Sequence, residues 1–267
     1  MNTFSKICQD IKTIKIQGAA NIAKAAIKAY AMKPTKKAKK QLIKLRPTEP
    51  ALFNALDIAE KKSPQFAEQH FENAQQFINH YVLKIIPSKS VIATHCHSNT
   101  LAQALISAHK SGKSFNVLVT ETRPLFQGRK TAKQLSNAGI EVTQFIDSAM
   151  HESIKQADII MLGADAVTPK GIINKIGSEA IAEIAHVHKK PLYIITDSWK
   201  FSSKPISIEQ RSEKEVWHKK PKNIRIKNPA FEIIPRKHIT YIISELGILT
   251  HEQFIKESKK ELRRAAS

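Results

Sequence analysis

The stretch "VIATHCHSNTLAQAL", residues 91–105, joins a short apolar run to an amphipathic segment, with a cysteine where one gives way to the other. It reads as a buried strand running into a helix. In α/β folds, the carboxyl end of such a strand is where ligands bind.

The same texture recurs through the rest of the chain. Short runs, "SVIATH", "FNVLVTE", "IEVTQFID", "ADIIMLGAD" and "PLYIITD", then "NIRIK" and "ITYIISE", are separated by amphipathic segments of helical length. Runs that are apolar on both faces and alternate with helices predict a mainly parallel sheet covered on both sides. The fold class is therefore α/β, with a doubly wound, Rossmann-like sheet over residues 86–267. Upstream, residues 1–85 read as a helical domain. "GAANIAKAAIKAYAM" places Ile22, Ala26 and Ala29 at helical spacing, and "SPQFAEQHFENAQQFINHYVLKII" repeats Phe66, Phe71, Phe77 and Val82 on a helical period. The basic segment between them contains Pro34, Pro47 and Pro50 and predicts a loop leading into a shorter helix.

At 267 residues and 42% apolar composition, the chain can bury one large core or two unequal ones. Its two cysteines, Cys8 and Cys96, lie far apart, which argues against a disulfide framework or a zinc ribbon and for a reducing compartment, the cytoplasm. No stretch reaches the roughly 18 uninterrupted apolar residues that span a bilayer, so no membrane association is expected. The N-terminus shows no apolar leader pattern. A formal charge of +20 calls for an anionic partner: nucleic acid, anionic lipid or a phosphorylated metabolite. The basic tracts at 33–44 and 256–264 interleave no aromatics with their charges, so they read as solvated surface and not as a specific nucleic-acid site.

Polar and reactive residues follow the strand runs: His95-Cys96-His97-Ser98-Asn99, "ETRPLFQG" at 121–128, Gly163-Ala164-Asp165, and "TDSWKF" at 196–201. Cys96 reads either as a small buried hydrophobe or as a thiol whose pKa a helix start lowers. Asp165 reads as a turn or cap residue, or as an acid whose burial keeps it protonated. Arg123 and Gln127 precede a glycine at a strand end and together are expected to line the site. Asn174 and Lys175 fall near the beginning of an amphipathic helix, where N–H groups and a lysine suit a phosphate. Lys175 and Lys200 each read as surface lysines or as point charges for a phosphate. Successive strand residues point to opposite faces, so His95, Cys96 and His97 do not converge on a metal ion. No metal site and no cofactor is expected.

Taken together, "THCHSNT", "TETRPLFQGRKTAKQL", "DSAM", "GADAVTPKGIINKIG", "ITDSWKF" and "NPAFEIIP", with "IKIQGAANIAKAA" upstream, resemble the initiation-factor-2B alpha/beta/delta-like family over roughly residues 10–255. That family includes regulatory subunits of a translational exchange factor, methylthioribose-1-phosphate isomerases and ribose-1,5-bisphosphate isomerases. "THCHS", "SWKF" and "NPAFEIIP" look most like the last group. The resemblance implies an aldose–ketose isomerase acting on a sugar 1-phosphate, with Cys96 as base and Asp165 as acid. It further implies phosphate contacts from Gln17, Gly18, Ala19, Ala20, Arg46, Ser98, Asn99, Thr100, Asn174, Lys175 and Lys200, and a homo-oligomer, dimer or hexamer. Gln17 stands where relatives usually carry arginine, and Asn99 where the isomerases tend to carry lysine. The alternative that these departures raise is a non-catalytic regulatory protein, binding a sugar phosphate or nucleotide and a translation factor.

Overall fold

Among the described residues, five helices form before residue 86: α1 (Thr3–Lys12), α2 (Ala19–Met32), α3 (Lys36–Leu45), α4 (Pro50–Lys61) and α5 (Pro64–Ile85). This computed structural model describes residues 3–267; Met1 and Asn2, at the start of the expected helical segment, lie outside the described residues. Pro50 and Pro64 open their helices, where a missing N–H costs nothing, and Ser63 caps α5 by accepting from Phe66 N. The basic tract expected as a loop is instead α3. Thr35 caps it, and Ala38 and Leu42, one turn apart, are buried while most of its lysines face water. Lys39 is the exception, reaching Glu60 on α4 at 2.6 Å.

The second part holds β1 (Ser90–Thr94), β2 (Phe115–Thr120), β3 (Val142–Phe145), β4 (Ile159–Gly163), β5 (Ala166–Thr168), β6 (Gly171–Lys175), β7 (Leu192–Ile195), β8 (Phe231–Pro235), β9 (Tyr241–Ser244) and β10 (Gly247–Leu249). Its helices are α6 (Asn99–Lys110), α7 (Gln127–Ser136), α8 (Met150–Gln156), α9 (Ser178–Val187) and α10 (His251–Ala266). Seven strands form one sheet in the order β10-β9-β7-β4-β1-β2-β3, all parallel except the β9–β10 pair. Neighbouring strand residues alternate between two cores. Ile92, Val117, Ile159, Ile195 and Ile243 pack with α5, α6 and Leu135 of α7; Ala93, Leu118, Ile160, Ile194 and Ile242 pack with α8, α9 and α10. The sheet is therefore doubly wound, as its apolar runs predict. α5 serves two cores: Ala67 and Phe71 join the N-terminal helices and Trp199, while Ala74, Ile78 and Val82 cover the sheet.

The chain winds outward from β1 through β2 to β3, then returns to place β4 on the other side of β1. Connections diverge there, leaving a crevice beyond the carboxyl ends of β1 and β4.

Two expectations are corrected here. The segment "GIINK" is a strand of a second, antiparallel sheet, β5-β6-β8, so Asn174 and Lys175 end β6 and the helix begins only at Ser178. "NIRIK" forms no strand: Ile224 and its charged neighbours lie at the surface with no strand beside them to pair with. No helix among the described residues is long and apolar enough to cross a membrane.

Candidate active site

A cleft of about 100 Å³ opens at the β1–β4 crevice, and both Cys96 and Asp165 line it. The N-terminal helices close it from one side with Gln17, Gly18, Ala19 and Ala20 at the start of α2 and with Arg46 after α3. Ser98, Asn99 and Thr100 enter from the β1–α6 junction, and Gln127 from the start of α7. Asn174 and Lys175 come from β6, and Lys200 from a single 3-10 turn, Ser198–Lys200. Arg123 is not brought to the cleft. It is exposed, stacked on Phe126 and 3.4 Å from the Val216 carbonyl, because Asp147 grips the backbone N–H groups of Thr122 and Arg123 and turns the chain outward.

The thiol is held by its backbone. Cys96 has φ 65°, a left-handed conformation uncommon outside glycine; its N–H donates to Thr122 Oγ1 at 2.9 Å and its carbonyl accepts from Thr131 Oγ1 at 2.8 Å. Close approach also needs Gly163, since a Cβ there would lie 2.6 Å from Ser98 Cβ. Burial pushes the Cys96 thiol up to about 11; Lys175 opposes the rise and Asp165 adds to it. An acidified thiol, as read from a helix start, is thus corrected. α6 begins three residues later, Ser98 takes the capping role by accepting from Leu101 N, and desolvation outweighs Lys175 and the His97 backbone N–H, which favour the thiolate.

Burial likewise raises Asp165, against Lys200, Lys175 and Arg46. Its N–H donates to the Ile173 carbonyl at 2.9 Å, which ties the acid to the small sheet. His95 is buried and spans from the Thr120 hydroxyl to the Ile176 carbonyl. A carbonyl only accepts, so Nε2 carries the proton and Nδ1 accepts from Thr120. Thr131 spends its hydroxyl proton on the Cys96 carbonyl, so His97 Nδ1 donates to Thr131 at 3.0 Å. Burial, helped by Lys130, lowers His97 to about 4, and burial lowers His95, so both rings are neutral near pH 7.

Cations line the cleft. Lys175 lies over the Phe231 ring at 4.9 Å and makes no ion pair among the described residues. Lys200 is buried, 3.7 Å from Asp197, whose carboxyl stays below its ordinary range because His70 and Lys200 overcome its burial. Asn174 donates to Ser178 Oγ at 3.0 Å. Among the described residues, no group of three or more His, Cys, Asp or Glu is arranged to hold a metal ion.

Sequence reasoning missed Glu49, Glu209 and Arg211, which also line the cleft. Glu49 is 2% exposed, donated to by Arg46 Nη2 at 3.1 Å, and raised by burial and by Asp165 to about 7. Its signal was a carboxylate next to Arg46 in "LRPTEP", where the prolines alone suggest an exposed turn.

This arrangement places a thiol and a carboxyl at adjacent strand ends, under a canopy of cations. Residues 4–251 match the Initiation factor 2 subunit family, and the chain belongs to it. It is 36% identical to the ribose 1,5-bisphosphate isomerase of Methanocaldococcus jannaschii, covering 93% of this chain and 92% of that protein. It is 32% identical to the methylthioribose-1-phosphate isomerase of Heliobacterium modesticaldum, covering 91% and 86%. The crystal structure of the Pyrococcus horikoshii translation initiation factor eIF-2B superposes with a TM-score of 0.85 at 25% identity, over 96% of this chain and 99% of that one. Similarity at this level over nearly the whole chain puts it among the isomerases of the family.

Proposed function

We propose that the chain is a sugar-phosphate isomerase that converts ribose 1,5-bisphosphate to ribulose 1,5-bisphosphate, with Cys96 and Asp165 as its acid–base pair. The observation that carries this reading is the meeting of the two residues in one cleft at the ends of β1 and β4, beside Lys175 and Lys200. A sugar phosphorylated on its anomeric oxygen has no free aldehyde to open, so the ring must be broken by acid while a base works at the neighbouring carbon. Asp165 gives its proton to the ring oxygen as the C1–O bond breaks. The Cys96 thiolate takes the C2 proton, leaving an enol across C1 and C2. That enol's hydroxyl proton returns to Asp165 as Cys96 hands its own proton to C1, and the ketose phosphate results.

The raised pKa of both groups suits these roles. A carboxyl that keeps its proton can serve as the acid, and a thiolate of high basicity is matched to a carbon-bound proton. Lys175 opposes the burial and favours the thiolate, the form that takes the C2 proton. The two unpaired cysteines suit a reducing compartment such as the cytoplasm, and the family likeness supports a homo-oligomer, to be counted by light scattering.

The test is NMR in deuterated buffer, with ribose 1,5-bisphosphate, ribose 1-phosphate and methylthioribose 1-phosphate offered to wild type and to Cys96→Ser. Conversion of the bisphosphate by wild type alone is the expected result. Preferred conversion of another sugar reassigns the substrate. Binding without conversion overturns the enzyme and favours a regulatory protein, with Gln17 and Asn99 as the departures that changed it.

A further inference from the structure

The Arg46 corner of the cleft carries more negative charge than a phosphate site needs. Arg46 Nη2 donates to Glu49 Oε1 at 3.1 Å and lies 3.4 Å from Glu209 Oε2, while Arg211 pairs with Glu209 and Glu215. Two arginines therefore meet three carboxylates. Glu49 Oε2 and Arg46 Nε are both buried without a hydrogen-bond partner. An unsatisfied atom on each member of one buried ion pair is costly, and both atoms belong to residues that line the cleft.

We propose that Glu49 decides which ligand group the cleft accepts beside Arg46: ionised, it neutralises Arg46 and takes a hydrogen bond from a ligand hydroxyl; protonated, it releases Arg46 to a phosphate. The proposal rests on the sugar-phosphate reading and adds a proton to it. Four charged groups face Glu49: Arg46 on its own segment, Glu209 across the guanidinium, Asp165 from the end of β4, and Lys200 from the 3-10 turn. Burial favours the protonated form, joined by Asp165 whenever that carboxyl is ionised, whereas Arg46 and Lys200 favour the ionised one, which brings the titration of Glu49 to about 7. A phosphate dianion arriving beside Arg46 then shifts Glu49 to the protonated form, and binding takes up a proton.

Calorimetric titration in a Cys96→Ser background, which prevents turnover, tests this with ribose 1,5-bisphosphate and ribose 1-phosphate at pH 6.5 and 8.0, in buffers of different ionisation enthalpy, with the wild-type Glu49 and with Glu49→Gln. Glutamine keeps an acceptor for Arg46 without the charge. With Glu49 in place, the preference for bisphosphate over monophosphate should fall about tenfold from pH 6.5 to 8.0, the scale of one charge-assisted contact, with net proton uptake. The second phosphate's own ionisation has the opposite sign, since it gains charge as pH rises. Glu49→Gln should abolish the uptake and bind the bisphosphate more tightly at pH 8.0. A preference independent of pH with Glu49 in place overturns the proposal, and so does a glutamine variant that weakens both sugars alike, which would mark Glu49 as scaffold. If the protein with Glu49 in place binds neither sugar, the sugar-phosphate reading itself fails and takes the proposal with it.

Discussion

The Cys96 N–H donates to Thr122 Oγ1 at 2.9 Å, and both residues hold left-handed backbone, at φ 65° and 62°. For Thr122 this conformation is strained, because its Cβ is branched. Asp147, by accepting from the Thr122 N–H at 2.8 Å, helps fix it there. The hydroxyl of a fully buried threonine thus sets where the thiol sits. Thr122→Ala leaves the Cys96 N–H without its partner and should lower kcat about tenfold with little change in KM, the equivalent of one hydrogen bond. Thr122→Ser keeps the hydroxyl and should recover most of the rate in steady-state kinetics.

Cys96→Ser and Asp165→Asn should each lower turnover by about 10²–10⁴-fold or more, the usual worth of a positioned acid or base. Their folds should survive. Asp165 has a raised folded-state pKa, so its ionisation opposes folding progressively as pH rises above the unfolded carboxyl value. The neutral amide of the Asp165→Asn variant escapes that penalty, and thermal denaturation at pH 8 should show this variant at least as stable as wild type. A large loss of Tm would mean that the carboxylate is structural.

The strands bearing the crevice were legible because fully buried parallel strands are continuous apolar runs, and the polar residues after each run mark the crevice. The antiparallel sheet was not. β5 is three residues long, and "GIINK" runs straight into the helical pattern of "GSEAIAEIAHV", so its period was masked. α3 was hidden by its lysines, since its buried stripe rests on only Ala38 and Leu42. Glu49 and the high pKa of Cys96 share a different cause. Both depend on burial by elements distant in sequence, α2 and β6 among them, which local pattern does not encode. Arg123 was misplaced by one turn of backbone, set by Asp147.

With the thiol raised to about 11, its alkylation should accelerate close to tenfold per pH unit from pH 7 to 10. The measurement is iodoacetamide labelling of Cys96 in a Cys8→Ala background, with Cys96→Ser as the blank. Lys175→Gln removes the nearby charge that favours the thiolate, and should slow labelling at every pH in this range. A plateau below pH 8 would show instead an acidified thiol.

His97 makes the fold sensitive to acid. Its folded-state pKa, lowered to about 4, lies below the unfolded histidine value of about 6.5. The unfolded chain therefore binds this proton first as pH falls. Stability is complete above pH 6.5 and erodes between 6.5 and 4, at up to about 1.4 kcal/mol per pH unit for one proton. His95 is shifted the same way and adds to the slope. His97→Gln cannot titrate, so denaturant unfolding at pH 7, 6 and 5 should show a shallower fall than wild type, with the remaining slope left to His95 and the other histidines. Because His97 donates to the Thr131 hydroxyl that holds the Cys96 carbonyl, protonating its far nitrogen brings charge into the cleft's wall without breaking that chain. Where the protein stays folded, the pH dependence of turnover should therefore follow Cys96 and Asp165 and not His97. His97→Gln should leave the shape of the kcat–pH profile unchanged, and a profile that shifts with it would place the governing proton on His97.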